Sequence, residues 1–321
     1  MDLSGSDKPY LVVGRVGIDI FVDPPGVPVA DARAARTDMG GSSANIAAGL
    51  VKLGQKSALV TCVSDDDIGT FCLNRLDHYG VDRAHVRRVS GECRTSLAFY
   101  DSVLEGHRNV IYRNNAADFQ MNTGDIEALD MSAYRALITA GTVFAAEPSR
   151  GAAFLAFERA KAAGLPVIFD VDYRPYSWPS AQVASEVLSR AGAMADVIVG
   201  NDEEFGFMAG AYDKGLAKAR DLSAQAAIVV YKRGPDGAIT FAGGAEIETG
   251  IFAVDALKPV GAGDSFMAGM VAALSEGRPL REAILRGSAC ASITVSRPGR
   301  APAMATTDEL DHFLSTHPGP G

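Results

Sequence analysis

The stretch ALITAGTVFAAEPSRGAAFLAFERAKAAGLPVIFD, residues 136–170, decides the fold. Ala136–Ala140 is a short apolar run of the kind that makes a buried strand. Arg150–Ala163 carries a helical pattern closed by Gly164, and Pro166–Asp170 is a second buried strand. Two such strands joined by a helix lie parallel, because a tight turn can only join antiparallel ones. Downstream the alternation continues with a helix at Ser180–Ala191, a strand at Val197–Gly200, helices at Asp202–Met208 and Lys214–Ser223, and a strand at Ala227–Lys232. Ala238–Ala242 and Glu246–Gly250 read as a hairpin, followed by helices at Asp264–Glu276, Leu280–Val295 and Thr307–Ser315. Upstream, Tyr10–Gly14 and Ser57–Val63 read as strands, and Ser43–Leu53 and Ile68–Tyr79 as helices stopped by Gly54 and Gly80. Strands alternating with helices predict a mainly parallel α/β sheet covered on both faces, with ligands beyond the carboxyl ends of its strands.

One region breaks this rhythm. Val86–Val89, Thr95–Tyr100 and Asn109–Arg113 are short β-type runs without intervening helices. With the alternating Ile18–Val22 they predict a small antiparallel sheet inserted in the α/β body, formed by about residues 18–23 and 86–115 of a single domain spanning 1–321.

Composition narrows the partners. The chain has 321 residues, 47% of them hydrophobic, enough for one large core. A net charge of −9 argues against nucleic acid as a main partner, while leaving local phosphate sites open. Cys62, Cys72, Cys93 and Cys290 show no metal-like spacing and read as reduced thiols. No apolar run is long enough to span a bilayer, so a soluble cytoplasmic protein is expected.

Val260-Gly261-Ala262-Gly263-Asp264-Ser265-Phe266 is the chemically richest turn. Two glycines let backbone amides approach an anion, and a helix start adds free N–H groups and a positive dipole end. Asp264 does not suit phosphate binding. It suits taking the proton from an alcohol that attacks phosphorus; the plain alternative is a residue that only caps the helix. GxxxxGK[ST] and protein-kinase patterns are absent, and Gly14-x-x-Gly17 leads into a strand-like run where a dinucleotide site needs a helix. Met39-Gly40-Gly41-Ser42-Ser43-Ala44-Asn45 precedes a helix of small residues. Either Ser42 or Ser43 caps it, or the glycines let a polyol lie against the backbone while Asn45 and Asp19 meet its hydroxyls.

Gly40-Gly41 with Asn45, followed far downstream by Gly261-Ala262-Gly263-Asp264, resembles the two sequence marks of the ribokinase-like, phosphofructokinase-B type sugar kinases. The resemblance covers nearly the whole chain. It implies a Rossmann-like body with a small β lid over the sugar, ATP and Mg²⁺ as requirements, and Asp264 as base with the Gly261–Gly263 amides beside it. Asn201-Asp202-Glu203-Glu204 matches the family's Asn-x-x-Glu, which organises Mg²⁺ through water; a capping box is the plain reading. Lys232-Arg233-Gly234-Pro235-Asp236-Gly237 matches its nucleotide-side strand and turn, placing Lys232, Gly234, Gly237 and Asn201 with the nucleotide. Lys258-Pro259-Val260 stands where many members carry Asp-Thr-Thr, which puts their monovalent cation site, and dependence on K⁺, in doubt.

Asp170-Val171-Asp172-Tyr173-Arg174-Pro175 with Trp178, Lys258-Pro259 before the catalytic turn, and Tyr112-Arg113-Asn114-Asn115 resemble the subgroup acting on 5-dehydro-2-deoxygluconate in myo-inositol catabolism. A sugar acid needs a cation in its pocket, and Arg113 and Arg174 are the expected ones, Arg174 alternatively facing the nucleotide phosphates. The alternatives are a 2-dehydro-3-deoxygluconokinase, a fructokinase or ribokinase, and a non-catalytic sugar- or nucleotide-binding regulator. A homodimer through the lid is the assembly expected.

Overall fold

A computed structural model describes residues 3–24, 26–101, 109–257 and 260–320. The strands are β1 (Tyr10–Val13), β2 (Gly17–Asp23), β3 (Ala34–Gly40), β4 (Ser57–Ser64), β5 (Val86–Val89), β6 (Ser96–Tyr100), β7 (Asn109–Tyr112), β8 (Leu137–Ala140), β9 (Val167–Asp170), β10 (Val197–Asn201), β11 (Ile228–Lys232), β12 (Ala238–Ala242) and β13 (Ala245–Thr249). The helices are α1 (Ser42–Lys52), α2 (Asp67–Tyr79), α3 (Thr123–Glu127), α4 (Ser149–Ala162), α5 (Ala181–Met194), α6 (Asp202–Ala209), α7 (Gly215–Leu222), α8 (Ala262–Ser275), α9 (Leu280–Val295) and α10 (Thr307–Thr316).

Among the described residues a nine-stranded sheet runs in the order β13-β12-β11-β10-β9-β8-β1-β4-β5. It is parallel from β11 to β5, and the β12–β13 hairpin closes the other edge antiparallel. Both faces are buried, which the continuous apolar runs require. On β1, Leu11 and Val13 join the core under α3–α7, while Tyr10 and Val12 join the core under α1, α2 and α8–α10. From β1 the chain builds outward to β4 on one side and later to β8 on the other. The order therefore reverses between β1 and β8, and the crevice beyond their carboxyl ends is where such sheets bind ligands.

The second sheet has four strands in the order β3-β2-β6-β7. It differs from the expectation in three ways. Val86–Val89 is not part of it: as β5 this segment pairs parallel with β4 at the edge of the large sheet. The β2–β6 pair is parallel, although its neighbours are antiparallel. The strand β3 has no counterpart in the sequence reading, because AARTDMG is largely exposed and lacks both an apolar run and a clean alternation.

Candidate active site

Gly261 precedes α8 with φ of +90°, a left-handed conformation that glycine adopts without a Cβ clash. The helix thus begins at Ala262, two residues earlier than the apolar pattern suggested, and Ala262, Gly263 and Asp264 form its first turn with unsatisfied amides. Asp264 is 7% exposed. Its carboxylate accepts a hydrogen bond of 2.9 Å from Asn45 Nδ2 on α1. Burial pushes the Asp264 carboxyl up to about 6 against the pull of Arg300, with Asp172 adding to the rise and Asn45 and Arg174 opposing it. A carboxylate of this basicity at the positive end of a helix is suited to receiving a proton near neutral pH.

The start of α1 faces it. Gly41, at φ +99°, precedes Ser42, and neither serine caps the helix. A Cβ on Gly41 would run into the carbonyl of Arg15, and one on Gly40 into the carboxylate of Asp19. Gly41 is thus required by a close backbone approach and Gly40 by the Asp19 carboxylate packed against it. Asp19 is fully buried on β2 and pairs with Arg300 Nε at 3.2 Å. Arg300 Nη2 donates in turn to the Tyr100 hydroxyl of β6 at 2.7 Å. The small sheet therefore contributes Asp19 and Tyr100 to the crevice, and the segment after α9 contributes Arg300.

On the other side of Asp264, Asn201 and Glu204 form the capping box of α6, with both reciprocal bonds at 2.8 Å. The second carboxylate oxygen of Glu204 lies 3.6 Å from Arg174 Nη1, so the cap leaves one oxygen outside its own hydrogen bonds. Arg174 is held by Asp172 at 2.6 Å, and Asp172 itself has φ of +36°, a strained value for a non-glycine residue. Lys232, at the end of β11, places its ammonium 5.6 Å from the Phe266 ring centre and beside Gly263. Gly234 and Gly237 bracket the turn after β11, both at positive φ. Burial raises the Asp170 carboxyl well above its usual range; Lys232 opposes this, while Glu204, Asp172 and Asp264 add to it. Among the described residues no three carboxylate, histidine or cysteine side chains converge as a metal cage, so a divalent ion here would be held mainly by water and phosphate oxygens.

Arg113 is placed differently from the expectation. Its guanidinium is buried, donates to Asp118 at 2.5 Å and to the Thr142 carbonyl at 2.9 Å, and lies over the Phe119 ring. Its fork is taken by the protein itself and fastens the chain after β7 to the body. Lys258 and Pro259, on which the cation argument rests, lie outside the described residues. The sequence reading missed Arg15, Tyr100 and Arg300. Arg15 carried a signal, an arginine between the two glycines that follow the first buried strand; Arg300 carried none, since only the fold brings it to Asp19.

A buried carboxylate at a glycine-opened helix start, set beside the bare start of a second helix, is the arrangement expected of a phosphotransfer site. Residues 8–307 match the family model described as pfkB family carbohydrate kinase, and the chain belongs to that family. It is 35% identical to the 5-dehydro-2-deoxygluconokinase of Geobacillus thermodenitrificans over 95% of this chain and 92% of that one. It is 33% identical to the protein of the same name from Photobacterium profundum, over 97% and 96%. Among solved structures, the PfkB protein of Polaromonas superimposes with a TM-score of 0.80 at 25% identity, covering 92% of this chain and 98% of that one. The ATP-bound fructokinase of Xylella fastidiosa superimposes with a TM-score of 0.85 at 22% identity, over 97% and 99%, and shares the fold.

Proposed function

We propose that the chain transfers the γ-phosphoryl group of ATP to the terminal hydroxyl of 5-dehydro-2-deoxy-D-gluconate, giving the 6-phosphate and ADP. The observation that carries the reaction type is Asp264, buried with its carboxyl raised to about 6 at the amide-rich start of α8. The identity to relatives of that name over nearly the full chain supports the substrate. As the C6 oxygen attacks the γ-phosphorus, its proton passes to Asp264 and the bond from phosphorus to the β–γ bridging oxygen breaks, so that ADP leaves. The amides around Gly261–Gly263 face the charge that spreads over the transferring group. Lys232, Asn201 and the turn from Gly234 to Gly237 hold the nucleotide side. Glu204 would hold Mg²⁺ through water, and the ion would supply charge neutralisation on the phosphates. Gly40, Gly41, Asn45 and Asp19 hold the sugar, with the small sheet as lid.

A homodimer through the small sheet belongs to this reading; its strand β7 exposes Val110 and Tyr112. The enzyme would act in the cytoplasm, where its nucleotide is; among the described residues no helix is long and apolar enough to cross a membrane. The test is ADP release over a panel of 5-dehydro-2-deoxygluconate, 2-dehydro-3-deoxygluconate, D-ribose and D-fructose. Preference for the first is expected; preference for fructose, or no sugar-dependent ADP, overturns the reading.

A further inference from the structure

Among the described residues four arginines stand in or beside the crevice, and three of them have a carboxylate. Arg113 pairs with Asp118 at 2.5 Å, Arg174 with Asp172 at 2.6 Å and Arg300 with Asp19 at 3.2 Å. Arg15, in the loop between β1 and β2, is 6% exposed and has no carboxylate within 4.0 Å among the described residues. Its Nε donates to Ser96 Oγ of β6 at 2.7 Å, and its Nη2 is buried without a hydrogen-bond partner. Gly17 makes room for this arrangement: a Cβ there would lie 2.9 Å from Nη2 and 2.7 Å from Ser96 Oγ. A buried guanidinium without a counter-charge is costly, and proteins keep such a group where an anion completes it.

The anion has a natural source if the proposed substrate is correct. The Arg15 carbonyl lies against Gly41, and Asn45, in the helix that Gly41 opens, donates to Asp264. Arg15 is thus built into the wall that carries Gly41, and its positive charge opposes the burial that raises the Tyr100 and Tyr176 hydroxyls. The neighbouring Arg113 adds positive potential there without a free fork, since Asp118 and Thr142 occupy its ends. Resting on the substrate reading above, we propose that Arg15 is the specificity-determining residue for the sugar acid. Its guanidinium receives the C1 carboxylate while the C6 hydroxyl meets Asp264, and Ser96 and Gly17 hold the fork in place. A neutral ketose leaves the charge uncompensated and is disfavoured for that reason.

The test is Arg15→Gln, which keeps a donor for Ser96 and removes the charge, with Arg15→Lys beside it. For Arg15→Gln the KM for 5-dehydro-2-deoxygluconate should rise about 10–150-fold, as for loss of a hydrogen bond to a charged group. The change in kcat/KM for D-fructose should be far smaller, and the acidic limb of the pH profile near 6 should not move. Arg15→Lys should fall between parent and Gln, because it keeps charge without the fork. Thermal melting without ligand separates this from a structural role. Arg15→Gln should melt no lower than the parent, and the sugar acid should raise the melting temperature of the parent but not of the variant. Equal losses on acid and fructose, or an unchanged KM for the acid, overturn the Arg15 assignment alone. A parent that prefers fructose overturns the substrate reading and this inference together.

Discussion

The starts of α1 and α8 are built alike but carry different side chains. Each follows a glycine with positive φ, at Gly41 and Gly261, and each lacks a side-chain cap. The two helices pack closely, with Gly49 of α1 against Ala268 of α8. Bare helix starts of this kind offer amides to an incoming oxygen. In α1 the third and fourth residues are Ala44 and Asn45, neutral groups suited to hydroxyls. In α8 the third residue is Asp264, whose carboxylate Asn45 holds. In the proposed mechanism this one buried carboxylate is what separates the reacting helix start from the binding one, and Asn45 orients it.

Removing that carboxylate is the sharpest way to break the contrast. Asp264→Asn should lower kcat by at least about 10²-fold, the usual contribution of a general base, with the KM for sugar changed little. Stability should move the other way. The folded carboxyl is raised, so it favours folding below its unfolded value and weakens it as pH rises through about 6. Asp264→Asn should therefore melt at or above the parent at pH 8, with the gap closing by about pH 4. Near-normal turnover would make the two helix starts equivalent.

Alanine at the two glycines separates the roles next. Gly41→Ala must displace the Arg15 backbone and Gly261→Ala must hold a left-handed alanine, costing about 1–2 kcal/mol from φ alone. Gly41→Ala should chiefly raise the KM for sugar, and Gly261→Ala should chiefly lower kcat. Identical kinetic signatures would count against separate functions.

A smaller effect tests the bond that joins the helices. The Asn45 amide stabilises the ionised form of Asp264, so Asn45→Leu should move the acidic limb of the kcat profile to higher pH. A limb that stays in place would mean that Asn45 acts only on the sugar. The smallest effect expected concerns K⁺. With Lys258 where the family resemblance leads one to expect an acidic residue, replacing K⁺ by a bulky organic cation at fixed ionic strength should change turnover little. A several-fold rise on adding K⁺ would show that other ligands keep the ion site.

The large sheet was legible because its strands are buried on both faces and so read as plain apolar runs, as in VIFD and VIVG. The helix starts were legible because glycine, Asn45 and Asp264 are each needed there for a local reason. The small sheet was less so. Its strand β3 is mostly exposed, and the pairing of Val86–Val89 with β4 is set by tertiary contacts that no local pattern records. Arg113 shows the same limit for a site residue. An arginine's chemistry suggests a carboxylate, but only the fold decides whether that carboxylate is Asp118 or a substrate.

The most direct measurement of the central claim is the ³¹P spectrum of the product formed from 5-dehydro-2-deoxygluconate, ATP and Mg²⁺. The account predicts one phosphate monoester coupled to the two C6 protons, formed in step with ADP and lost in Asp264→Asn. Inorganic phosphate as the only product, or an ester on a carbon other than C6, would contradict it.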